Sequence, residues 1–325
     1  MCGESQIKKR VFVTRKVPDA ALSILKKFFD CRIWDETEVP VPRDVLLEEA
    51  AQAHGIFCML SDSIDQEVIL AAPELEAIST MAVGFDNIDV VTAKERGIAV
   101  TNTPGILTET TADLAFALLM ATARRLIEGN RAVHGGEWKT WAPLYMAGRD
   151  IYEASLGIIG MGRIGQAVAR RARGFNMPVY YYSRTRKKYI EEQMDVNYLS
   201  MDELLSRCDF VSLHVPATGE TTQLIGEREL KLMKPSAILI NTARGSVVDE
   251  VALYEALKSG IIRAAGLDVF QVEPVDPEHP LLTLPNVVAL PHIGSASEET
   301  RLRMARTAAE DLASVLNGEK PRFPV

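Results

Sequence analysis

The segment Gly160-Met161-Gly162-Arg163-Ile164-Gly165 constrains this chain most, because it follows the apolar run Leu156 to Ile159 and opens an amphipathic stretch from Gln166 to Arg173. G-x-G-x-x-G at a strand-to-helix junction leaves the backbone little choice. The first glycine permits a tight turn, the second lets backbone amides approach a pyrophosphate, and the third lets helix and strand pack closely. Free N–H groups at the helix start then neutralise phosphate charge without side chains. Residues 160–165 therefore predict a doubly wound parallel sheet and a dinucleotide ligand.

The rest of the chain alternates in the way such a sheet requires. Short runs rich in Val, Ile and Phe, at Val11 to Thr14, Arg32 to Trp34, Ile56 to Leu60 and Ile78 to Met81, are separated by helical patterns at Ala20 to Phe29 and Val45 to Ala53. From Ser155 the alternation restarts, with strands expected at 156–159, 179–182, 210–213, 237–240, 264–267 and 287–290. A connecting helix is expected from Thr108 to Arg125, an irregular tryptophan-containing excursion from Gly135 to Gly148, and a last amphipathic helix from Glu298 to Leu316 that returns to the N-terminal part. The fold class read from this pattern is α/β: two Rossmann-like parallel-sheet domains, a flavodoxin-like one and a doubly wound dinucleotide-binding one. The boundaries expected are 1–103 plus 292–325 for a discontinuous substrate-binding domain and 104–291 for the cofactor domain, with a cleft between them and the connecting helices as hinge.

At 325 residues two domains are the default. Apolar residues make up 47% and no run approaches the roughly 20 residues that cross a bilayer, while a formal charge of −8 disfavours nucleic acid and anionic membranes as partners. The opening residues, Met1 to Arg10, lack an apolar signal core, and Cys2, Cys31, Cys58 and Cys208 are far apart, without metal-type spacing. A cytoplasmic protein with reduced thiols and no metal site is expected.

The second strand ends in Ser183, Arg184, Thr185 and Arg186, where an NAD enzyme of this type carries Asp or Glu about 20 residues beyond the glycines. Without that carboxylate, two guanidiniums and two hydroxyls are placed to bind a 2′-phosphate, so NADPH is expected, with NADH the alternative.

Four motifs in order, 160–165, Asn241 to Gly245, Leu267 to Pro274 and Pro291 to Ala296, resemble the D-isomer-specific 2-hydroxyacid dehydrogenases over nearly the whole chain. Residues 183–186, Val83 to Ile88 and the Trp138 to Trp141 loop are similar to the glyoxylate/hydroxypyruvate reductases within that family. Reduction of a 2-keto acid needs a hydride, a proton for the carbonyl oxygen and a cation for the carboxylate. The resemblance assigns the cation to Arg244, the proton to His292 and support of the imidazole to Glu273, which favours the imidazolium. It also implies cofactor contacts at Thr242, Ala243, Asp268, Ile293 and Gly294, and substrate contacts at Leu60, Ser61, Val83, Gly84 and Ser295. Trp141 resembles a residue that reaches the partner subunit's active site, which implies a homodimer. The function implied is NAD(P)H-dependent reduction of a small 2-keto acid, glyoxylate to glycolate or hydroxypyruvate to D-glycerate. Phosphoglycerate or D-lactate dehydrogenases and a cofactor-sensing co-repressor are the alternatives.

Overall fold

The computed structural model describes residues 8–325; Cys2 and most of the polar N-terminus lie outside them. Two compact units result, one of residues 8–107 with Ala296–Val325, the other of Thr108–Ser295. The divisions fall a few residues beyond the expected 103/104 and 291/292, so His292 stays in the same unit as Arg244 and Glu273.

In the first unit, β1 (Arg10–Val13), β2 (Asp30–Ile33), β3 (Gly55–Cys58), β4 (Ala77–Thr80) and β5 (Ala99–Thr101) form an all-parallel sheet in the order 2-1-3-4-5, that of flavodoxin-like folds. Alternation along β1 dictates the layers. Val11 and Val13 face helices Asp19–Phe28 and Glu298–Leu316, while Phe12 faces the opposite core with Leu46, Val68 and Ala93. The last helix begins at Glu298 under the Ser297 cap, whose hydroxyl accepts from Thr300 N–H, and it packs back on the N-terminal sheet as its apolar stripe requires. β5 was not expected from the sequence. Its three residues become a strand by pairing with β4, with Val325 N–H donating to Val100 O at 2.9 Å outside it.

The second sheet contains β6 (Leu156–Ile159), β7 (Val179–Tyr182), β8 (Asn197–Tyr198), β9 (Phe210–Leu213), β10 (Ile238–Asn241), β11 (Ala264–Leu267) and β12 (Val287–Ala289), all parallel, in the order 12-11-10-9-6-7-8. This is the doubly wound order 3-2-1-4-5-6 with one strand added, and the two-residue β8 was likewise not expected. Ile158, Phe210 and Ile240 pack under helices Thr108–Ala123 and Arg163–Ala172; Ile159, Leu213 and Leu239 pack under Met201–Arg207, Glu227–Leu232 and Glu250–Lys258. The register puts Tyr182, Ile159, Leu213, Asn241, Leu267 and Ala289 in one row across six strands. Everything that follows that row emerges at one edge of the sheet.

Free thiols at Cys31, Cys58 and Cys208 sit apart; burial pushes Cys31 to about 11 and Cys208 to about 12, so both stay protonated. Among the described residues no helix is long and apolar enough to cross a membrane.

His214 lies directly beyond β9, with its amide on Ile159 O at 2.7 Å and its Nε2 2.8 Å from Ser212 Oγ. Burial pushes the imidazole down to about 4. The unfolded chain takes up this proton near pH 6.5, so the group costs nothing above that value and destabilises the unit progressively as pH falls toward 4. Urea unfolding at pH 7 and 4.5 is expected to show wild type losing about 2 kcal/mol more than His214→Gln over this interval. Parallel losses would show that His214 titrates normally in the folded protein.

Candidate active site

The glycine turn is built by close backbone approach. Gly160 adopts φ +100°, and a Cβ there would lie 2.5 Å from His214 O; one at Gly165 would lie 2.3 Å from Gly160 O. Gly162 is the N-cap of the helix Arg163–Ala172, and a Cβ on it would meet nothing within 4 Å, which leaves the face in front of the helix start open. Helix N–H groups and an open approach are what a pyrophosphate needs. Lys187 Nζ donates to Met161 O at 2.8 Å and ties the end of β7 to this turn.

Beyond β7, Arg184, Thr185 and Arg186 are exposed, and Ser183 Oγ donates to Thr185 O at 2.8 Å. Both guanidiniums have carboxylate partners that the sequence pattern did not reveal. Arg184 Nη1 donates to Glu220 at 2.8 Å, and Arg186 grips Glu191 through Nε and Nη2 at 2.8 and 2.6 Å. The Arg186 hydrogen bonds pull the Glu191 carboxyl down to about 2, with Tyr181 O–H donating to the same group at 2.8 Å.

On the other side of β6 the ends of β10, β11 and β12 converge. Asn241, the last residue of β10, accepts from Ala243 N–H through Oδ1 at 3.0 Å and donates through Nδ2 to Arg244 O at 2.9 Å. This side-chain turn presents Arg244, and an Asn three residues before an Arg was a signal available in the sequence. Beyond β11, Asp268 is buried; its Oδ1 accepts from Ile293 N–H at 2.8 Å while its O accepts from His292 N–H at 2.8 Å. The loop after β12 is thus pinned to β11, and His292 is held at φ 53°. Glu273 turns back on its own loop, taking Phe270 N–H on Oε1 at 3.0 Å and reaching His292 Nδ1 with Oε2 at 2.6 Å. Burial works against the Glu273 charge, but the hydrogen bond and charge of His292, the Phe270 amide and the Arg244 charge outweigh it and hold the carboxyl below its ordinary range.

A nicotinamide dinucleotide fits these groups. Asp268 Oδ2 and Thr242 Oγ1 are buried without a partner, beside a glycine turn whose front is open. Residues 160–165 would hold the pyrophosphate, and Thr242 and Asp268 would meet a polar group of the cofactor. Among the described residues no group of three or more His, Cys, Asp or Glu is placed to hold a metal ion.

Residues 116–294 match the model of the D-isomer specific 2-hydroxyacid dehydrogenase NAD binding domain. The chain belongs to that family. It is 53% identical over 97% of its length to a glyoxylate reductase of Korarchaeum cryptofilum, of which it covers 95%, and 50% identical over 97% to one of Thermococcus litoralis, of which it covers 96%. Among solved structures it is similar to an NADPH-dependent glyoxylate/hydroxypyruvate reductase of Sinorhizobium meliloti in complex with NADP and malonate. The TM-score is 0.84 at 33% identity, over 98% of this chain and 97% of that one. The resemblance carried by the four motifs is thereby confirmed, and the two sheets are those of this dehydrogenase fold.

In the first unit, Leu60 and Ser61 follow β3, and Val83 and Gly84 follow β4. Asn87 joins the two loops, donating to Met59 O at 3.0 Å and Asp62 O at 2.7 Å. Arg15 Nη2 donates to Ser61 Oγ at 3.3 Å, and Asn102 Nδ2 to Val83 O at 2.8 Å. Asn87 belongs to the 83–88 motif but was given no role by it, and Arg15 did not stand out in the sequence because it acts across strands. Trp141 is 78% exposed and lies in the irregular segment before β6.

Glu273→Gln removes the acceptor charge beside His292 while keeping the side chain's shape. It is expected to lower kcat/KM for 2-keto acid reduction by on the order of 10-fold or more with cofactor affinity retained, as read by fluorescence titration and initial rates. Wild-type kcat/KM would remove Glu273 from the chemistry.

Proposed function

We propose that this chain is an NADPH-preferring reductase of small 2-keto acids, converting glyoxylate to glycolate and hydroxypyruvate to D-glycerate. The observation that carries the reading is the 2.6 Å contact between Glu273 and His292 Nδ1. A proton on Nδ1 donated to Glu273 directs the other ring nitrogen, Nε2, at the chemistry. Nε2 of the imidazolium gives its proton to the carbonyl oxygen, and Glu273 balances the charge beforehand. Arg244 clamps the substrate's carboxylate and carbonyl oxygen, polarising the bond that is reduced. The bound nicotinamide supplies the hydride. Asp268 and Thr242 would orient it, and Ala243, Ile293 and Gly294 are assigned to its binding. Leu60, Ser61, Val83, Gly84 and Ser295 are assigned to the substrate; the names of the glyoxylate reductases that this chain resembles support the substrate class.

The preference for NADPH rests on Ser183 to Arg186. The pair that occupies Arg184 is a weak one: Arg184 and Glu220 are 80% and 70% exposed, and exposed pairs are worth about 0–1 kcal/mol. A doubly charged phosphate competes successfully for such a cation. Arg186 uses Nε and Nη2 for Glu191, which leaves the Nη1 edge to meet a ligand.

The working form is proposed to be a homodimer. Trp138, Trp141 and Leu144 are 58%, 78% and 86% exposed within one irregular segment, an apolar cluster of the kind that interfaces cover. Trp141 is proposed to reach the active site of the second copy.

Initial rates with NADPH and NADH against glyoxylate, hydroxypyruvate, pyruvate and phosphohydroxypyruvate test the substrate and cofactor together. NADPH with glyoxylate or hydroxypyruvate is expected to give the highest kcat/KM, and His292→Ala to lose about 10²-fold or more of it while binding cofactor normally. Preference for phosphohydroxypyruvate, or unchanged turnover in the variant, would refute the reading. Sedimentation is expected to show a dimer, and Trp141→Ala to raise KM for hydroxypyruvate; a monomer would remove the proposed role of Trp141.

A further inference from the structure

The first turn of helix Glu250–Lys258 carries a carboxylate whose two oxygens are both spent on the loop that bears Glu273. Glu250 Oε1 accepts from Gln271 N–H at 2.7 Å, and Oε2 lies 3.3 Å from His279 Nε2. These contacts stand at the two ends of the segment 271–279, and the Glu250 side chain is 13% exposed. His279 is itself held on both sides: its Nδ1 accepts from Leu281 N–H at 3.3 Å, and its ring meets Phe270 edge-on at 6.2 Å. An imidazole with its proton on Nε2 satisfies both polar contacts.

Glu250 is not needed to cap its own helix. Asp249 does that, accepting from Val251 N–H and Ala252 N–H, both at 3.0 Å. Its position bears instead on two adjacent peptides. The amides of Phe270 and Gln271 are consecutive, the first held by Glu273 Oε1 and the second by Glu250 Oε1. Gly245, next to Arg244, presses on the 270–271 peptide so closely that a Cβ on it would lie 1.9 Å from Phe270 C. Each peptide is planar and the two share Phe270 Cα, so with Gly245 blocking one side a change at Gln271 N–H bears on the segment that aims Glu273 at His292.

We propose that Glu250, acting with His279, is a positioning residue of the reduction: it clamps residues 271–279 so that Glu273 stays within hydrogen-bond reach of His292. The proposal rests on His292 being the proton donor. The charged groups that face His292 are Glu273 and Asp268, with Arg244 acting on Glu273; the one paired with Glu250 is His279.

The test uses the full chain and compares Glu250→Ala, Glu250→Gln, His279→Ala and Glu273→Gln for thermal stability, NADPH affinity by fluorescence, and kcat and KM for glyoxylate between pH 6 and 9. Glu273→Gln, which weakens the contact to His292 directly, is the reference whose pH profile the other variants are compared with. Glu250→Ala is expected to lower kcat about 10-fold, to leave KM and NADPH affinity within about twofold, and to move the high-pH fall of kcat in the direction seen in Glu273→Gln. Glu250→Gln, which keeps an acceptor for Gln271 N–H, recovers most of the loss. Combined with Glu273→Gln, Glu250→Ala adds little, because both act through one contact. His279→Ala shows the same pH displacement at about threefold loss, and it carries the test if Glu250→Ala does not fold. A shifted profile in Glu273→Gln with a wild-type profile in Glu250→Ala or His279→Ala would overturn the proposal alone. A wild-type profile in Glu273→Gln would overturn the proton-donor reading beneath it.

Discussion

The second unit depends on one constraint, the parallel register that sets Tyr182, Ile159, Leu213, Asn241, Leu267 and Ala289 in a single row. In a parallel sheet all carboxyl ends lie at one edge, and beyond the last paired residue each strand leaves backbone groups that no ladder satisfies. Those groups are taken up within a few residues of the row: Tyr182 O by Gly160 N–H, Ile159 O by His214 N–H, Asn241 across its own turn, Asp268 by the amides of His292 and Ile293. Satisfying them places the glycine turn, Arg244, Glu273 and His292 at one edge. The chemistry is assembled by the same accounting that ends the strands.

Two kinds of charge sit along that edge. Asp268 is buried and Glu273 keeps 30% of its side chain exposed; each accepts from backbone N–H donors, and Glu273 also meets the imidazole. Arg184 stands in water, where a partner contributes about 0–1 kcal/mol and salt screens it, whereas the half-exposed Arg186 sits on a carboxylate that is only 16% exposed.

Much of the architecture was legible before any coordinates. Ten of the strands were marked by Val, Ile and Phe runs at their observed places to within two residues, and the helix Glu298–Leu316 was legible end to end from its apolar stripe. β5 and β8 were not, because three and two residues carry no periodicity and become strands only through a neighbour's hydrogen bonds. The helix after the glycine turn starts at Arg163 rather than Gln166, since its first turn is fixed by the Gly162 cap and not by apolar spacing. At the candidate site, motif order pointed to Arg244, Glu273 and His292. Glu220 and Glu250 were invisible, each being an ordinary polar residue far along the chain from the group it holds, and Glu191, only five residues from Arg186, was hidden because nothing in the spacing says that the helix after the loop turns it back.

The sequence by itself determined the α/β alternation, the glycine turn and the family, because these rest on local chemistry: glycines where a Cβ cannot stand, apolar residues at a fixed period, and motifs in order. Only the tertiary structure decided which nitrogen of His292 faces Glu273, which carboxylates occupy Arg184 and Arg186, and which residue clamps the loop of Glu273. A hydrogen bond is settled within a few tenths of an ångström and over a narrow range of angles. Sequence spacing cannot carry that information; the packing of β10, β11 and β12 and the loops beyond them does.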